Sequence, residues 1–193
     1  KKNSKTTGGA ALTITYWLLN KRPNAELMFV GPTQDVSNLA FSQAKGMIEA
    51  DEEGILQTRF HVRDHIKAIE DRTNGSLLRI RTFDMTVMTG VKPVLVVVDE
   101  LHIMSQFSYA SRVLGQIRGG LQPNPESLLI IITTQSDTPP AGVFKQELDY
   151  ARGVRDGRIT GENVRMLPVL YEFPEDMQPD ERRPWREQKY WPM

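Results

Sequence analysis

An α/β fold, with a mainly parallel sheet and helices on both faces, is predicted by three features of this 193-residue chain. Two runs, PVLVVVDE (93–100) and SLLIIITTQS (127–136), are apolar almost without interruption, as strands buried on both faces are. Longer segments with apolar residues at helical spacing are interleaved with such runs, the pattern of a parallel sheet with crossover helices. Both runs also exit in polar groups, Asp99-Glu100 and Thr133-Thr134-Gln135, at the edge where open α/β sheets bind ligands.

Taken in order, KKNSKT is followed by TGGAALTITYWLLNKRP, a helix whose Ala11, Thr15, Leu18 and Leu19 are expected to share a face and which Pro23 ends. ELMFV (26–30) reads as a buried strand, and VSNLAFSQAKGMIEADEEG as a helix. KAIEDR and SLLRIRTF flank Thr73-Asn74-Gly75, the strongest short hairpin signal in the chain. The two apolar runs follow, and RMLPVLYEF (165–173) offers a last strand weakened by Pro168. Residues 174–193 hold four prolines and nine acidic or basic side chains, which is linker composition, yet Trp185 and Trp191 there are expected to dock on a neighbour.

With 24 basic and 24 acidic residues the net charge is zero, so a nucleic-acid partner would have to be met by a local basic patch. No cysteine is present, which excludes disulfides and thiolate metal sites. No window approaches a membrane-spanning length of apolar residues, and the Lys-rich start lacks the apolar region of a secretory signal.

Two stretches carry chemistry. Asp99 and Glu100 emerge together from a buried strand. One can hold a hydrated Mg²⁺, which prefers carboxylate and phosphate oxygens, and the other can orient or deprotonate a water. The plain alternative is two acids ending a strand in solvent. Lys5-Thr6 fit the last two positions of the phosphate-loop pattern G-x-x-x-x-G-K-[ST], with Ser4 on the second glycine and the launching strand expected before residue 1. In that frame Lys5 reaches the β- and γ-phosphates, Thr6 touches Mg²⁺, and helix N–H groups cradle the anion. Gly8, Gly9, Ala10 and Ala11 are small enough to let this helix lie close to a sheet. The order Lys-Thr, acidic strand, hydroxyl-ended strand is that of the additional-strand P-loop triphosphatases, whose extra strand carries the γ-phosphate sensor.

From Lys1 to about Phe173 the sequence resembles the ATPase half of the large terminase subunit of tailed bacteriophages. Lys1-Lys2-Asn3-Ser4-Lys5-Thr6 is similar to that family's Arg-Lys-Asn-Gly-Lys-Thr loop. VLVVVDELH resembles its acidic strand, IIITTQSDTPPAGVFKQELDYARGVRDGRI its coupling motif and following helix, and LYEFPEDMQ the lead-in to a nuclease half. The resemblance implies an ATPase domain over 1–173 and a linker over 174–193. It assigns Lys1, Lys2, Asn3, Ser4, Lys5 and Thr6 to nucleotide, Thr6 and Asp99 to metal, Glu100 to the general base, and Thr133, Thr134 and Gln135 to coupling. ATP and Mg²⁺ are the implied cofactors. Double-stranded DNA gripped without sequence preference, a portal protein, a small terminase subunit and a homo-oligomeric ring, expected to be a pentamer, are the implied partners, in the cytoplasm of an infected bacterium and with no membrane.

Two positions depart from the family's loop. Lys1 keeps charge but lacks the arginine fork, and Ser4 stands where a loop needing positive φ would favour glycine. Arg79, Arg81, Arg112 and Arg118 are candidates for an arginine acting on a neighbouring subunit's nucleotide. His61, His65 and His102 have no metal spacing, and His102 reads as merely flanking the site. DELH also fits the D-E-x-H box of superfamily 2 helicases, so a helicase-like ATPase is one alternative, and a P-loop adaptor that no longer hydrolyses nucleotide is another.

Overall fold

The first helix, α1 (Lys5–Leu19), buries Gly9, Ala10, Thr13, Ile14 and Trp17, positions spaced to form one stripe. In the computed structural model, which describes residues 4–136, 138–172 and 187, this stripe lies against the sheet. A Cβ added to Gly9 would stand 2.6 Å from Ile132 Cδ1, so glycine is what lets the helix approach so closely. The expected face of Ala11, Thr15, Leu18 and Leu19 is instead exposed. Close approach, rather than side-chain size, selects the inward face.

The strands are β1 (Glu26–Gly31), β2 (Phe60–Arg63), β3 (Ala68–Asp71), β4 (Leu77–Thr82), β5 (Leu95–Asp99) and β6 (Leu128–Ile132). They form one sheet in the order β2-β3-β4-β1-β5-β6. β4, β1, β5 and β6 run parallel, and β2 and β3 add antiparallel pairings at one side. Register aligns Leu78, Leu27 and Leu95 across three strands, then Ile80, Phe29 and Val97. These six join α1 and α2 (Gln34–Glu49) in one core cluster. Met28, Val30, Val96 and Val98, which alternation points the other way, are just as buried, so both faces are covered.

The hairpin at Thr73-Asn74-Gly75 joins β3 and β4, with Gly75 at φ 71° and the Asp71 carboxylate accepting from the Thr73 N–H at 2.8 Å. Helices α3 (Ile55–Arg59), α4 (Leu101–Met104), α5 (Ala110–Leu121) and α6 (Gly142–Arg155) complete the fold. Neither β2 nor α5 was expected from the sequence. β2 is a four-residue edge strand, and α5 shows its helical stripe only through Ala110, Val113, Leu114, Ile117 and Leu121.

The chain divides into two compact units, Lys1–Phe144 and Lys145–Met193. Within the second, residues 165–172 are not a strand. Pro168 removes a ladder donor, and Leu167, Val169 and Tyr171 are exposed. Arg152 and Arg155 of α6 grip Glu172 instead and hold its carboxyl below the usual range. Most of the expected linker 174–193, including Trp185 and Trp191, lies outside the described residues. Among the described residues no helix is long and apolar enough to cross a membrane.

Candidate nucleotide site

Every parallel strand ends at the same sheet edge, and the amino terminus of α1 comes to that edge beside β5. Thr6 Oγ1 donates to Asp99 Oδ2 at 2.6 Å across 93 positions of sequence. Lys5 Nζ stands 3.8 Å from Glu100 Oε1. Consecutive residues of the loop thus meet consecutive acids of the strand exit. No acid occupies the first turn of this fifteen-residue helix, so its unpaired N–H groups and positive dipole end are open to an anion.

Strand alternation alone would send Asp99 and Glu100 to opposite faces. Glu100 escapes that rule because its backbone turns left-handed, at φ 59° and ψ 49°, where it caps α4. Such a conformation costs a non-glycine residue about 1–2 kcal/mol. The turn is held by the Glu100 N–H donating to Ile132 O at 2.8 Å, the last rung between β5 and β6. The strained residue is therefore the one whose side chain must return to α1.

Asp99 is completely buried, and its Oδ1 has no hydrogen-bond partner. Burial pushes its carboxyl above the ordinary value, with Glu100 adding repulsion, while the Thr6 hydroxyl and Lys5 act the other way. A raised carboxyl means the folded state resists ionisation here. The stabilising effect of the neutral form is complete below the ordinary carboxylate value of 3.8 and lost as pH rises through the raised one. The buried, unpaired Oδ1 is an oxygen that suits a cation. The donors are one carboxylate and one hydroxyl, hard oxygens of the kind Mg²⁺ accepts when phosphate and water complete its shell. Among the described residues no cluster of three or more His, Asp or Glu exists to hold a metal by protein alone.

Ser4 caps α1 at φ 51° and ψ 29°, without a side-chain cap bond. The position does demand positive φ, as expected from the loop pattern. Ser4→Gly is therefore expected to stabilise the fold by about 0.5–1 kcal/mol, the relief of the left-handed penalty less glycine's extra entropy. Thermal unfolding should show the midpoint rise by a few degrees. A lower midpoint would mean that the serine contributes something its geometry does not reveal.

The exit of β6 closes the site's third side. Thr134 Oγ1 donates to Glu100 Oε2 at 3.1 Å, and Thr133 Oγ1 accepts from the His102 N–H at 3.1 Å, while Gln135 is exposed. Lys5, Thr6, Asp99, Glu100, Thr133 and Thr134 thus form one cluster. Lys1, Lys2 and Asn3 lie outside the described residues. Of the candidate arginines, Arg79 pairs with Glu26 at 3.4 Å, whereas Arg81 on β4 and Arg112 and Arg118 on α5 are exposed.

The family model described as terminase large subunit, ATPase domain, matches residues 1–153. The chain belongs to that family. Solved structures agree on the fold. The large terminase of bacteriophage HK97 superposes with a TM-score of 0.72 at 19% identity, covering 96% of this chain and 36% of that one. The large terminase ATPase domain of Thermus phage P74-26 gives 0.53 at 16% identity, covering 72% of this chain and 58% of that one. This chain therefore spans about a third of the HK97 protein's length. No curated protein matches it. The terminase ATPase fold is of the P-loop type. Sequence reading left His102 as a bystander, yet its ring Nδ1 lies 3.3 Å from Glu100 Oε2.

Proposed function

We propose that this chain is the Mg²⁺-dependent ATP-hydrolysing part of a terminase large subunit, and that the whole protein uses each hydrolysis to drive viral double-stranded DNA into a procapsid. The observation that carries the reading is the pairing of Thr6 with Asp99 and of Lys5 with Glu100, which assembles a phosphate cradle and two acids at one sheet edge. In this reading the α1 N-terminus and Lys5 bind the β- and γ-phosphates. Thr6 and Asp99 hold Mg²⁺, which supplies charge neutralisation on the phosphates. Glu100 orients and deprotonates the attacking water. Because phosphoryl transfer passes through a loose transition state, positioning and charge stabilisation supply most of the rate.

Lys5 stands at a long 3.8 Å from Glu100 here, and a triphosphate offers the ammonium a stronger partner. Thr133, Thr134 and Gln135 report that exchange to the rest of the motor. The ATPase domain is taken to run over 1–173, with 174–193 leading toward an endonuclease half. A portal protein, a small terminase subunit and further copies of the large subunit arranged in a ring complete the machine, working in the host cytoplasm. DNA contacts would fall on phosphates and weaken with salt.

Phosphate release from Mg-ATP by the full-length protein, beside Lys5→Ala, tests the reading. The variant is expected to lose about 10²–10³-fold in turnover, the usual effect of deleting one charge-stabilising donor. Equal rates in the two proteins would remove the phosphate-loop assignment.

A further inference from the structure

The assigned site residues leave one neighbouring side chain unexplained. His102 sits two residues after Glu100, within the short helix α4, and its side chain is only 16% exposed. Its Nδ1 faces three oxygens: Thr133 Oγ1 at 3.1 Å, Glu100 Oε2 at 3.3 Å and Thr134 Oγ1 at 3.5 Å. Its backbone N–H donates to the same Thr133 hydroxyl at 3.1 Å. The ring's position is fixed from a further side by the edge of Phe144, 6.1 Å away between centroids.

The chemistry of these neighbours assigns the tautomer. A carboxylate oxygen is an acceptor only, so an unprotonated Nδ1 would set lone pair against lone pair. We assign the proton to Nδ1, where it faces Glu100 Oε2 at 3.3 Å and the Thr133 oxygen at 3.1 Å. Glu100 Oε2 then accepts from the Thr134 hydroxyl and faces the imidazole nitrogen at 3.3 Å, while Oε1 faces Lys5. One residue thus ties the carboxylate to both threonines at the exit of β6.

We propose that His102 is a positioning residue. Through Nδ1 it fixes the Glu100 carboxylate against the Thr133–Thr134 exit of β6, so that the base and the coupling strand keep one mutual geometry. The inference rests on Glu100 being the base. It adds to that reading a physical link between the water-activating group and the γ-phosphate sensor. The link has no metal ligand in it and does not depend on the ring carrying charge.

The test uses the full-length protein and three variants at this position. His102→Leu keeps bulk and removes the donor. His102→Asn puts an amide N–H where Nδ1 was, since both lie one bond beyond Cγ. His102→Gln places its amide where Nε2 was and leaves the Nδ1 position empty. The leucine variant is expected to lose about 10–100-fold in kcat, the range typical for removing a group that orients a reactive side chain. KM for ATP, and the rise in unfolding temperature on adding Mg-ADP, should stay within about twofold of wild type, because the phosphate cradle is untouched. The asparagine variant should recover most of the lost rate and the glutamine variant should not. Wild-type kcat in His102→Leu, or equal losses in the asparagine and glutamine variants, would overturn the inference. Glu100→Gln measured alongside separates the two layers. Full activity there sinks the base assignment and this inference together, whereas an inactive Glu100→Gln beside an unaffected His102→Leu sinks the inference alone.

Discussion

Glu100→Gln is expected to cut ATP turnover by about 10²–10⁴-fold, the contribution of a positioned general base. The substitution is nearly isosteric, so the fold should tolerate it. A glutamine amide oxygen still accepts from the Thr134 hydroxyl, which at present donates to Oε2 at 3.1 Å. What disappears is the negative charge, and with it the ability to draw a proton from water. Lys5 loses its 3.8 Å partner at the same time and becomes freer to meet phosphate. The expected signature is therefore asymmetric, with kcat collapsing while KM for ATP stays level or falls, the pattern of an interaction made in the transition state and not in the ground state. Single-turnover phosphate release beside nucleotide binding would read both quantities. Turnover surviving the change would take the base away from Glu100 and leave the residue as the backbone N-cap of α4.

Trp17→Ala should produce the largest loss of stability in the molecule, about 3–5 kcal/mol. The indole is fully buried in α1's inward stripe. Its ring lies 4.6 Å from Phe60 between centroids, at an interplanar angle of 42°, and its N–H donates to Ser76 Oγ at 2.5 Å. Truncation removes that packing, leaves a cavity between α1 and the sheet, and takes a donor from a buried serine. Because α1 carries Lys5 and Thr6 at its other end, the site should loosen with it. A loss of this size approaches a large share of the whole stability of a typical domain. Urea or thermal unfolding would measure it, and a shift below about 1 kcal/mol would mean the ring does not anchor the helix.

Much of this was readable from residues alone because it depends on local pattern. VLVVV had to be a doubly covered strand, and Asp99 at its end had to reach the ligand edge. Thr73-Asn74-Gly75 had to turn. What escaped depends on geometry that a linear pattern does not carry. The inward face of α1 is chosen by how near Gly9 must come to Ile132, so the larger Leu12, Leu18 and Leu19 stay outside. Residues 165–172 are apolar enough for a strand, yet Pro168 and the pull of Arg152 and Arg155 on Glu172 give that segment another way to be held. The left-handed turn at Glu100 reverses the direction that alternation assigns. His102 was visible as a letter in DELH, but its reach to Glu100 follows only from that turn.

The place of β6 at the rim of the sheet has a practical meaning for anyone purifying this polypeptide. Among the described residues β6 pairs only with β5. The sequence there, LLIII, has no lysine, glutamate or proline to discourage a stranger. Leu128 is 43% exposed at its start. A short neutral strand of this kind lacks the charged or proline residues that discourage a further strand from pairing. A complementary strand laid along its other side would extend the ladder.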